Sequence, residues 1–113
     1  MDRKMSKYSF QIQACIMEAM SKHNKIMPGP RFNTIDGNIL SIVKSFHDSN
    51  TIFFMSNKQL ANITISDPST VQRSIDRLVC TGLLKRETSY TTGKQQRILI
   101  YQKDQVQKLL ELV

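Results

Sequence analysis

The chain has 113 residues, 40% of them hydrophobic and 22% charged, and sixteen Lys and Arg against nine Asp and Glu give a formal net charge of +7. That length and apolar content suffice for one folded domain with its own core and exclude a wholly disordered chain. The basic excess favours polyanionic partners, no apolar run approaches the ~20 residues that span a bilayer, and the charged start Met1–Lys7 is not followed by the apolar core of a signal peptide, so a cytoplasmic protein is expected.

From Tyr8 to His23, apolar side chains recur at Ile12, Ile16 and Met20, the spacing of one helix face, with Cys15 and Ala19 beside them. A linker from Asn24 to Pro30 follows, because Pro28 and Pro30 lack N–H donors and turn their neighbours away from helix. A second helix is predicted from a cap at Asn33 or Thr34 to about Phe46, with Ile35, Ile39, Ile42, Val43 and Phe46 facing inward. Thr51–Met55 is short, β-branched and aromatic, which predicts a strand.

Ser56 is placed to cap a short helix through Asn62. Asp67-Pro68 starts another, with the acid as cap and the proline at the first helical position. That helix runs to Thr81 with Val71, Ile75, Leu78 and Val79 inward, and Gly82 supplies a left-handed stop. Leu83–Thr88 and Gln96–Tyr101 read as two strands of a hairpin joined by the polar stretch Ser89–Gln95, and a last helix is predicted over Lys103–Leu112 with Val106, Leu109, Leu110 and Val113 on one side. Cys15 and Cys80 fall within apolar helical patterns and read as reduced core residues.

Two closely spaced helices followed by a hairpin are the construction that delivers the second helix to a major groove. The stretch Leu60-Ala61, Ser69 to Leu78 and Gly82-Leu83-Leu84 closely resembles the winged helix-turn-helix superfamily, over roughly Phe32 to Tyr101. It is similar to transcriptional regulators, to DNA-binding domains of phage and plasmid replication proteins, and to small centromere-binding partition proteins. The resemblance implies a mainly α fold with a small β-hairpin (α+β), residues 32–101 forming the winged core. Residues 1–31 are then a basic arm, helix and linker, and residues 102–113 a helix available for dimerisation. The turn departs from the common pattern by lacking glycine, reading Asn62-Ile63-Thr64-Ile65-Ser66, and Ile63 and Ile65 are expected to fill the space below it.

With Val71, Ile75 and Leu78 inward, Ser69, Thr70, Gln72, Arg73 and Asp76 lie on the outer face and Arg77 at its edge. Such a face is by itself an ordinary solvated one. Between Lys58 and Arg97, however, seven basic residues stand against three acidic ones, a net +4. Arg pairs with guanine and Gln with adenine in the major groove, which makes Arg73 and Gln72 the base-reading candidates. Ser69, Thr70 and the free N–H groups of the helix start suit phosphate oxygens, and Ser56, Lys58 and Arg77 complete the expected DNA-contacting set. The resemblance further implies that the hairpin lies over backbone or minor groove, with Lys94 and Arg97 as its contacts.

Catalysis and metal binding find no support: His23 and His47 lie in no metal-spaced cluster, and Thr92-Gly93-Lys94 lacks the upstream glycine of a phosphate loop. No cofactor is expected. The expected partners are double-stranded DNA, a second copy of the chain across its flanking helices, and a replication or partition protein. The Met1–Arg31 segment carries six basic and two acidic residues and reads as a DNA-touching arm or a solvated tail. A protein-docking scaffold is the alternative from another class, which an apolar outer face on the Asp67–Thr81 helix would favour.

Overall fold

The structure is a computed structural model and describes residues 2–26, 31–90 and 95–111, with side chains from residue 14 onward. Its elements follow in the order α1 (Asp2–Ile26), α2 (Thr34–Asp48), α3 (Asn57–Thr64), α4 (Pro68–Cys80), β1 (Leu84–Ser89), β2 (Gln96–Tyr101) and α5 (Lys103–Leu110). The first helix is longer than its apolar stripe, so the backbone expected as an arm before Tyr8 is helical from Asp2. Among the described residues no helix is long and apolar enough to cross a membrane.

Local chemistry sets most boundaries. Asn33 caps α2 in a reciprocal box: its side chain accepts from the Asp36 N–H at 3.0 Å, and Asp36 accepts from the Asn33 N–H at 2.9 Å. Ser56 and Gln59 repeat this at the start of α3. Asp67 caps α4 through the Thr70 N–H, with Pro68 in the first turn, and Gly82 leaves the helix at φ 81°. Asn24 clasps the chain ahead of α2, its side chain bonding both the N–H and the carbonyl of Phe32 at 2.7 Å.

One core joins these elements. Ile39, Leu40 and Val43 of α2, Leu60 and Ala61 of α3, and Val71, Ile75 and Leu78 of α4 are all buried together with Leu84 and Leu99 of the hairpin. Helix α1 crosses α2 closely, for a Cβ at Gly37 would collide with the Met17 sulfur, and α5 packs back on α1. Strands β1 and β2 pair antiparallel from Leu84↔Tyr101 to Ser89↔Gln96. The strand expected at Thr51–Met55 is reduced to a single bridge, Phe53↔Leu99, because the chain turns into the α3 cap immediately afterwards.

Two further expectations are corrected. Cys15 and Cys80 are both exposed, since each sits beside the buried stripe of its helix instead of within it. Ile63 and Ile65 do not fill the space below the turn: they are 52% and 92% exposed. Leu60 and Ala61 are the buried residues of α3, and the left-handed turn at Ile65 directs its side chain to solvent.

Candidate nucleic-acid interface

Helix α4 is fixed from the α2 side by a buried carboxylate. Asp36, fully buried, accepts from the Ser74 hydroxyl through Oδ1 and from Arg77 Nε at 2.8 Å through Oδ2. Ser74 is also fully buried. The guanidinium of Arg77, placed by sequence at the edge of the reading face, is thus turned inward to neutralise a charge that burial would otherwise make costly.

On the other side a chain of polar groups links α4 to the hairpin and to the start of α3. Arg97 of β2 donates to Asn57 Oδ1 and, at 2.5 Å, to the Met55 carbonyl. Asn57 donates to Gln72 Oε1 at 2.7 Å, and Gln72 donates to Asp76 Oδ1 at 2.9 Å. Arg86 of β1 closes the chain on the same Asp76 oxygen at 2.8 Å. The Arg86 hydrogen bond, followed by that from Gln72, holds the Asp76 carboxyl below the usual carboxylate range. Burial, and then the charge of Arg86, lower the Arg97 pKa, and its Nε is a buried donor with no partner among the described residues.

These links divide the sequence-expected residues. Gln72, the residue expected to read adenine, has one acceptor site and one donor of its amide engaged within the protein, by Asn57 and Asp76. Arg77 and Arg97 are likewise engaged by protein atoms. Ser56, its side chain accepting from the Gln59 N–H at 3.2 Å, is exposed but used as a cap. At the start of α4, Asp67 takes up one of the N–H groups expected for phosphate. Asp67 accepts the Thr70 N–H at 2.8 Å, and its pKa is lowered first by that bond, then by the Thr70 hydroxyl, with smaller contributions from Arg73 and the Ser69 N–H.

What remains outward is Arg73, Lys58 and Ser69, all exposed and with no side-chain hydrogen bond or ion pair to a described residue, together with half-buried Thr70. They lie on the first half of α4 and the first turn of α3, two elements packed directly on one another. The face offers one guanidinium, one ammonium and the Ser69 hydroxyl as donors suited to phosphates and base edges, the Thr70 hydroxyl being turned to Asp67. Lys94, the hairpin residue expected on DNA, lies outside the described residues. Among those described, no three His, Cys, Asp or Glu side chains group as metal ligands.

No protein-family model matches the chain, and no curated protein matches its sequence. Its backbone is similar to the crystal structure of the transcriptional regulator BldR from Sulfolobus solfataricus, with a TM-score of 0.53 and 22% sequence identity, over 97% of this chain and 71% of that one. Paired helices α3 and α4 on a common core, a glycine exit and an antiparallel hairpin pinned to the second helix make this a winged helix-turn-helix fold, mainly α, with an added helix at either end.

Proposed function

We propose that the chain is a sequence-specific double-stranded DNA-binding regulator that presents α4 to the major groove and the β1–β2 hairpin to the backbone or minor groove. The observation that carries this is the outward set Arg73, Lys58 and Ser69 on a chain of net charge +7. Similarity to a protein described as a transcriptional regulator supports it. Arg73 is the base reader of this reading, and Lys58 and Lys94 are phosphate contacts. Gln72, Arg77 and Arg97 serve to hold the surface in shape, and Ser56 acts through the cap that orients α3.

The finer reading is a homodimer acting in regulation or as the DNA-binding part of a plasmid or phage replication or partition system. Helices α1 and α5 pack on each other outside the paired helices and hairpin, and a two-fold dimer through such elements would match two half-sites one helical turn apart. Light scattering at tens of micromolar that returned only monomer would remove the dimer from this account.

The test of DNA binding is affinity for AT-rich duplex across a salt series, with wild type compared with Arg73→Ala, Lys58→Ala and Lys94→Ala. Wild type is expected to bind with a steep negative salt slope. Arg73→Ala should lose about 1–3 kcal/mol on a preferred site, and each lysine change should weaken all sequences alike and flatten the slope by about one unit. Salt-independent binding that none of the three changes weakens would refute the reading and favour a protein-docking scaffold.

A further inference from the structure

We propose that Ile65, in the turn between α3 and α4, is a specificity-determining residue that reads thymine methyl groups at the rim of the major groove; this rests on the DNA-binding reading above. Ile65 follows α3 in the left-handed conformation, φ 53° and ψ 56°, and its N–H closes the helix on the Ala61 carbonyl. The Ser66 N–H bonds the same carbonyl at 2.9 Å, and the Thr64 and Ser66 hydroxyls lie 2.7 Å apart. The turn therefore demands a residue at positive φ, where glycine or asparagine is cheap and a β-branched side chain is strained. The side chain recovers nothing in the free protein, for it is 92% exposed. A strained, solvent-facing isoleucine at a turn that glycine would close more easily is explained by a contact made outside the chain.

Position and chemistry identify that contact. Ile65 is two residues from the α4 cap Asp67 and four from Ser69, so its Cα lies within about 7 Å and about 14 Å of theirs by chain length alone. The recognition helix of this fold class enters the groove by its N-terminal end. The turn that feeds that end thus borders the base pairs. Arg73 and Ser69 supply donors there, and Gln72 is held by Asn57 and Asp76. The methyl group of thymine is the apolar feature a major groove offers, and an aliphatic side chain is its complement. Ile63, 52% exposed in the same turn, widens the apolar edge.

The experiment selects a preferred duplex from a randomised library with wild type, then compares affinities for that duplex and for the same duplex with uracil replacing every thymine, which removes only the methyl groups. Wild type is expected to bind the uracil duplex about four- to fifteenfold more weakly, the scale of one or two buried methyl contacts. Ile65→Gly should bind the thymine duplex about four- to fifteenfold more weakly and no longer distinguish the two. It should also melt about 4 °C higher, because the strain is relieved, so that weakened binding is not a folding defect. Ile65→Leu should keep most of the discrimination. Equal affinity of wild type for both duplexes, or discrimination undiminished in Ile65→Gly, overturns the role of Ile65 while leaving DNA binding standing. Failure of wild type to bind any duplex overturns both readings.

Discussion

Helix α4 is held from two sides by polar groups of nearly the same chemistry, a carboxylate meeting an arginine in each case. On the α2 side the Asp36 side chain is 0% exposed and that of Arg77 23%; on the hairpin side Asp76 is 53% exposed and Arg86 39%. The difference in burial separates their functions. A buried carboxylate that loses its partners is left as an uncompensated charge, so the inner pair acts as a structural pin. An exposed pair exchanges with water and salt at little cost, so the outer one adds little to stability and its arginine is easily released. Stability is thus concentrated on the side of α4 away from the candidate interface.

The sharpest way to break this contrast is Asp36→Ala, expected to cost about 3–5 kcal/mol in urea denaturation because it strands Arg77, frees Ser74 and removes half of the α2 capping box. A loss below about 1 kcal/mol would show that water supports the inner pair as well. Asp76→Ala should cost under about 1 kcal/mol. It should also raise affinity for duplex DNA severalfold and steepen the salt slope by about one phosphate contact, since Arg86 is released and a negative charge leaves the face. Weaker binding by this variant would instead mean that the outer pair organises the hairpin for DNA.

The smallest expected effect is with pH. The Asp67 pKa is held below the ordinary aspartate value of 3.8, so its contribution to stability is complete above that value and is lost as pH falls through the lowered folded-state value. Between pH 5 and pH 2 the melting temperature of wild type should therefore fall further than that of Asp67→Asn. Parallel curves would remove the charge of Asp67 from the account and leave its hydrogen bonds alone.

Features governed by near neighbours were legible in the sequence. Asp67 and Pro68 announce α4, Gly82 ends it, and Asn33 and Ser56 cap the helices before it, because each acts within four residues of itself. The outward side of α4 was legible as well, through the period of Val71, Ile75 and Leu78. What each polar residue on that side does was not. Gln72 is engaged from 15 residues away, Arg77 from 41, and Arg97 from 40 and 42, and no local pattern encodes those meetings. Ile65 misled for a different reason: hydrophobicity suggests burial, whereas a helix terminus closed by a left-handed residue projects that side chain into solvent. Cys15 and Cys80 misled because an apolar stripe is only about 100° wide and its flanks resemble its centre in sequence.

Asp36 belongs at once to the cap of α2 and to the seat of α4. Fraying of the first turn of α2 would break the Asn33 box and, in the same event, release Ser74 and Arg77. The two segments, although separated in sequence, are thereby joined into one opening unit. Amide protons at the start of α2 and along the middle of α4 should then exchange with solvent at matching free energies instead of in the graded manner of independent helix ends.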